Sequence, residues 1–175
     1  QDLAVHVDHH RKASHMPIHF DGLDADLIPI DFHAARVFQH FKEDFLLLQE
    51  AQNAPYGAYI ETGSHAICCA SPELFFRLRG ADIESKPMKG TRGRGLTWEQ
   101  DEENRTGLAA SEKDRAENIM IVDMIRNDLG RVCEMGSVTT KDLFEVQRFP
   151  TLFQMISTVH GRTDAGLADI FAALF

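Results

Sequence analysis

The chain has 175 residues, 43% of them hydrophobic and 26% charged, and a formal net charge of −9. That length and mix suit one globular domain with its own core. An acidic chain without a Lys/Arg stripe is unsuited to nucleic acid, and no apolar stretch reaches the roughly 18 residues that span a bilayer.

Residues 1–16 differ from the rest, with His6, His9, His10 and His15 crowded together. Their spacing is irregular and nothing nearby supplies a supporting shell for a metal. Ser14-His15-Met16 resembles a cloning scar before a start codon. Residues 1–16 are therefore expected to be a tag or leader and residues 17–175 the domain. No basic-then-apolar signal segment opens the chain, which makes the cytoplasm the expected compartment.

Apolar positions from Phe32 through Ala35, Val37, Phe38, Phe41, Phe45 and Leu48 recur at three- and four-residue steps. That period predicts an amphipathic helix over 32–52, ended by Asn53-Ala54-Pro55. Residues 56–60 and 66–70 read as strands joined by a hairpin turn at Glu61-Thr62-Gly63-Ser64. Ser71-Pro72 punctuates, and strands are predicted at 74–78 and 83–85 around the Arg79-Gly80-Ala81-Asp82 turn. Such a meander favours an antiparallel sheet. The Gly-rich, charged stretch over 90–107 predicts a mobile loop running into a polar helix at 98–104.

Ser111 with Asp114 three residues on resembles a capping box, and opens a helix to about Asp128 with Gly130 as its stop. Ile119, Met120, Ile121, Val122, Met124 and Ile125 leave that helix little polar face, so its middle is expected to be buried. Strands are predicted at 137–139, 144–146 and 155–159, and a helix from Asp169 onward. The three cysteines, Cys68, Cys69 and Cys133, fit neither a disulfide framework nor a C-x-x-C zinc site and read as reduced, packed thiols.

Three places could carry chemistry. Asp114 and Glu117 lie three apart, so their carboxylates share one helix face. A helix N-terminus welcomes negative charge, which accounts for Asp114. Glu117 lies deeper, and spacing alone leaves a cation-ligand role and a plain surface role equally open. Lys89, between Pro87 and Gly90, is a nucleophile if burial depresses its pKa and an ordinary solvated lysine otherwise. Glu73, after Ser71-Pro72, is an acid/base candidate or a polar residue at a strand entrance.

Four blocks take the reading further: Ala70-Ser71-Pro72-Glu73-Leu74-Phe75; Lys86-Pro87-Met88-Lys89-Gly90-Thr91; Ser111-Glu112-Lys113-Asp114-Arg115-Ala116-Glu117-Asn118; and Ile121-Val122-Asp123 with Arg126-Asn127-Asp128-Leu129-Gly130-Arg131-Val132. In this order and spacing they resemble the chorismate-binding enzymes, which include anthranilate, isochorismate, salicylate and aminodeoxychorismate synthases. Arg148-Phe149-Pro150-Thr151 and Ser157-Thr158-Val159 add weaker support. The resemblance covers residues 53–175. It implies an α+β fold of antiparallel sheet layers packed with helices, here a partial domain truncated at both ends.

The resemblance also implies roles. Lysine at the position of Lys89 is the aminodeoxychorismate synthase pattern, where anthranilate synthases usually carry alanine. The Lys89 amine would attack C2 of chorismate and expel the C4 hydroxyl as water, and ammonia entering at C4 would displace the lysine. Glu73 matches the acid/base glutamate. Glu117 matches a Mg²⁺-binding glutamate with Asp114 in support, while Gly90 and Thr91 would line the substrate pocket. Ammonia would come from a glutaminase subunit or from ammonium salts. Gln154 stands where many family members carry histidine. Two alternatives remain beside this reading: an anthranilate synthase-type chorismate enzyme, and a non-catalytic fragment serving as a folded binding or homo-oligomerisation module through its sheet edges.

Overall fold

The computed structural model describes residues 32–62 and 65–175, with side chains from residue 41 on. Residues 1–16 and the Gly63-Ser64 half of the hairpin turn lie outside the described residues. The described chain falls into two compact units that meet in sequence at Ser71 and Pro72.

The first unit holds helix α1 (Phe32–Gln52) and the hairpin β1 (Tyr56–Glu61) and β2 (Ala66–Ser71). Asn53 ends α1 at φ +46, a left-handed position where asparagine is the usual alternative to glycine. β1 and β2 pair antiparallel, from Tyr56 opposite Ser71 to Glu61 opposite Ala66. Phe45 is buried and meets the Tyr59 ring at 5.9 Å between centroids. Cys68 and Cys69 point to opposite sides of β2, as neighbours on a strand must. Cys68 is exposed and Cys69 half-buried, which corrects the expectation of packed thiols for Cys68.

The second unit runs from β3 (Leu74–Arg79) through β4 (Asp82–Lys86), β5 (Met88–Gly93), α2 (Trp98–Ala109), α3 (Glu112–Gly130), β6 (Thr139–Arg148) and β7 (Leu152–Arg162) to α4 (Leu167–Leu174). Its five strands form one antiparallel sheet. β7 is the spine. Along one edge it pairs with β6 over most of its length. Along the other it pairs with β4 toward its C-terminal end and with β5 toward its N-terminal end. β4 and β5 are thus one edge strand interrupted at Pro87, which has no N–H to give to the ladder.

Helices cover one face of this sheet. Ile83, Val122, Leu129, Val159 and Ile170 form a buried cluster, and Leu108, Phe153 and Met155 a second one. Phe153, Met155 and Val159 come from alternate positions of β7, the period that puts side chains on one face. Full burial of each aliphatic residue here contributes about 1.5–3 kcal/mol.

Several expectations need correction. Residues 88–93 form a strand in place of a mobile loop, while the polar helix expected at 98–104 is present and runs on to Ala109. Pairing with β7 imposes extended structure on a segment whose own composition favours turns. The two short strands expected at 137–146 are one strand, β6. Its ladder shifts register between Lys141 and Glu145, where Asp142 and Phe144 take positive φ. The N-terminus of α3 is as expected, with the Ser111 hydroxyl accepting from the Asp114 N–H. Its middle is not buried all round. Asn118, Val122 and Leu129 face inward, whereas Met120 and Met124 are 68% and 60% exposed. The helix also includes Gly130 and is capped by Arg131. Among the described residues, no helix is long and apolar enough to cross a membrane.

Candidate active site

The candidate residues gather where β5 starts. Glu73 lies just before β3, and its Oε1 accepts a 3.0 Å hydrogen bond from the Met88 N–H. This bond ties the Ser71-Pro72-Glu73 corner to the residue preceding Lys89. Met88 is opposite Ile156 on β7 and Thr91 is opposite Gln154. Lys89 and Gly90 together therefore face the single residue Met155, which makes them a β-bulge. Lys89 is exposed. Thr91 Oγ1 donates to Gln154 Oε1 at 3.1 Å, so the residue standing where histidine was expected anchors one expected pocket residue.

Gly90 joins this strand to α3. Its φ is +94, and a Cβ there would lie 2.9 Å from the Asp114 Cβ and 3.3 Å from Leu108 Cδ1. Only glycine gives the backbone both that conformation and that approach. Asp114, half-buried, thus sits against the strand that carries Lys89. Glu117 lies one turn further along α3. Its carboxylate is 45% exposed and 3.3 Å from Lys113 Nζ. The structure brings Glu73, Lys89, Gly90, Thr91 and Asp114 into one neighbourhood through these contacts, and leaves Glu117 on the solvent side of the helix with Lys113.

Asp114 and Glu117 supply two carboxylates three residues apart on α3, and a magnesium ion is commonly held by one or two carboxylates with waters and substrate oxygens completing its octahedron. They would not make an all-protein cage. No group of three or more potential metal-ligating side chains occurs among the described residues.

Two further constellations were not foreseen. Arg94 and Asp101 form a bidentate pair, Nε to Oδ1 at 2.7 Å and NH2 to Oδ2 at 2.8 Å. Asp101 Oδ1 also accepts from the Gly95 N–H at 2.9 Å, and Arg148 NH2 stands 3.4 Å from Oδ2. Both guanidiniums lie over the buried Phe153 ring, at 5.1 and 5.6 Å. The Arg94 hydrogen bonds hold the Asp101 carboxyl down at about 2. Seven residues apart on a loop and a helix, this pair has no spacing signature.

The second constellation is the buried couple Asn118 and Ser157, both 0% exposed. Ser157 Oγ donates to Asn118 Oδ1 at 2.5 Å, and Asn118 Nδ2 donates to the Met155 carbonyl at 3.2 Å. Thirty-nine positions separate the two side chains, and only the fold brings them together.

Residues 30–175 match the family model described as chorismate binding enzyme. The chain is 50% identical over 123 residues to an aminodeoxychorismate synthase of Streptomyces pristinaespiralis, covering 69% of this chain and 17% of that protein. It is 47% identical over 133 residues to aminodeoxychorismate synthase component 1 of Klebsiella aerogenes, covering 75% of this chain and 30% of that one. Among solved structures it resembles anthranilate synthase component I from Streptococcus pneumoniae TIGR4, with a TM-score of 0.63 and 28% identity over 74% of this chain and 28% of that one. The chain thus spans less than a third of the length of these relatives. The matched segment takes in the α+β sheet, the β5 bulge and the acidic start of α3 alike: the chain belongs to the chorismate binding enzyme family.

Proposed function

We propose that this chain carries the nucleophile-bearing part of an enzyme that aminates chorismate at C4, giving 4-amino-4-deoxychorismate on the way to p-aminobenzoate and folate. The observation that carries the reading is the setting of Lys89. It lies on a bulge between Met88, whose N–H is held by Glu73, and Gly90, which packs on Asp114. The backbone that bears this amine is thus tied to an acid through one neighbour and packed on an acidic helix start through the other. The similarity to proteins named aminodeoxychorismate synthase agrees with it.

The Lys89 amine, in its neutral form, bonds to C2 of chorismate; the C1=C2 pair moves to C1=C6, the C5=C6 pair moves to C4=C5, and the C4 hydroxyl departs. Glu73 supplies the proton that lets the hydroxyl leave as water, a contribution typically worth about 10²–10⁴-fold. Ammonia then bonds to C4, both double bonds shift back, and the C2–N bond breaks to return the lysine amine. Glu73 is placed to take up the proton that the incoming ammonia sheds. Thr91, fixed by Gln154, and Gly90 line the pocket. Asp114 and Glu117 would hold Mg²⁺, which when bound offsets the negative charge of the substrate's ring carboxylate near an acidic protein. The ammonia comes from a separate glutaminase subunit, or in its absence from ammonium salts.

The test is to incubate the protein with chorismate, Mg²⁺ and an ammonium salt, and to identify products by mass spectrometry beside Lys89→Ala. The expected outcome is the 4-amino product, lost in the variant. A 2-amino product, or a 4-amino product formed equally well without Lys89, would overturn the lysine route. Absence of product would overturn the reading for this chain.

A further inference from the structure

The ladders on the two edges of β7 are each irregular in one place, and the buried polar couple Asn118–Ser157 sits at both. On one edge of β7, Lys89 and Gly90 of β5 bulge out opposite Met155. On the other edge, β6 shifts register between Lys141 and Glu145, opposite Thr158 to Ile156. A bulge leaves ladder groups without strand partners, and buried backbone groups without partners are costly. Here side chains stand in for the missing ladder. The Met155 carbonyl, opposite the β5 bulge, accepts from Asn118 Nδ2. The Phe144 N–H, inside the β6 bulge, donates to Ser157 Oγ at 3.1 Å. The Ser157 N–H donates to the Pro87 carbonyl at 3.2 Å, where Pro87 breaks the edge strand. The Ser157 hydroxyl then closes the circuit onto Asn118 Oδ1.

We infer that Asn118 and Ser157 are positioning residues, which hold the two bulges open and so set Lys89 in place against α3. Bulges near functional sites re-aim side chains. Without its support the β5 bulge would relax toward a regular ladder, and a one-residue change of register turns a strand's side chains to the other face. Asn118 is also the residue after Glu117, so the bond that steadies the bulge steadies the helix turn bearing the proposed cation ligands. This role rests on the proposed chemistry of Lys89, whereas the support of the bulges does not.

A truncated Asn118 would leave Ser157 unsatisfied and risks misfolding, so the test uses the apolar pair Asn118→Leu/Ser157→Ala, which removes both partners together. Two quantities are compared with the unaltered protein: amide hydrogen exchange at Phe144 and Ser157, and the rate at which Lys89 forms its covalent adduct with chorismate when ammonia is omitted. Expected are at least tenfold faster exchange at both amides, with β3 and β4 amides unchanged. Adduct formation per folded molecule should fall at least tenfold at saturating chorismate, with half-saturation moving less than twofold. A folded variant that forms adduct at the original rate, or whose Phe144 amide exchanges no faster, would overturn the inference. If the unaltered protein forms no Lys89 adduct, the chemical proposal fails, and exchange alone decides whether the couple holds the bulges.

Discussion

Asp101 and Glu117 are both helix carboxylates facing a cation, and the protein treats them in opposite ways. Asp101, 7% exposed, is saturated by two Arg94 hydrogen bonds, a backbone N–H and a second guanidinium, over an aromatic floor. Glu117, 45% exposed, has one flexible lysine four residues back. A charge whose lone pairs are all engaged has no coordination left to offer, and its work is to hold a loop to a helix. A charge held by a single exposed lysine exchanges that partner at small cost. The same lesson separates Asp101 from Asp114, whose carboxylate makes no ion pair or hydrogen bond among the described residues. Partner count, more than charge, tells the structural acid from the one available to a ligand.

The comparison can be tested from its strongest side downward. Phe153→Ala removes the floor beneath Arg94 and Arg148, and should cost about 3–5 kcal/mol by urea unfolding, as large-to-small changes at buried aromatics do. If it costs less than 1 kcal/mol, the clamp is not a structural centre.

Next is Gly90→Ala, where strain at φ +94 and contact with Asp114 should cost about 1–3 kcal/mol. It should also weaken Mg²⁺ binding measured by calorimetry, because Asp114 must move. Unchanged Mg²⁺ affinity in a folded variant would separate Asp114 from the cation.

Acid comes third. The Asp101 carboxyl sits at about 2, below its ordinary 3.8. The unfolded chain therefore takes up that proton first as pH falls. Its stabilisation is complete above about pH 4 and is lost progressively toward pH 2. Asp101→Asn should flatten the fall in melting temperature across that window, and an unaltered slope would show that other groups govern it. Smallest is Lys113→Ala, which should change stability by no more than about 0.5 kcal/mol and raise Mg²⁺ affinity no more than about twofold. A large loss of stability would mean that Glu117 is a structural acid after all.

Elements written in local chemistry were legible in the sequence. The Ser111 cap, the α1 period and its Asn53 stop, and the paired β1 and β2 strands all depend on residues a few positions apart, and each is found where expected. The motif blocks were legible as a family pattern, and the contacts of Glu73, Gly90 and Thr91 show how they meet in space. What stayed hidden depends on distant partners. β5 reads as a loop because Lys89-Gly90-Thr91-Arg92-Gly93 has little strand propensity, and only β7 makes it a strand. β6 reads as two pieces because its bulge interrupts the alternation. The middle of α3 looked buried because apolar content was counted without asking which residues share a face. Asn118, Val122, Ile125 and Leu129 repeat at helical spacing and face the core, while Met120 and Met124 do not.

The break at Pro87 also makes the chain a ruler. β4 and β5 lie end to end along one edge of β7, so the number of residues from Ser85 to Met88 fixes where Lys89 falls. Losing or gaining one residue there would deliver the lysine to the wrong side of the sheet. Among descendants of this sequence, length should stay fixed to the residue between Ser85 and Met88.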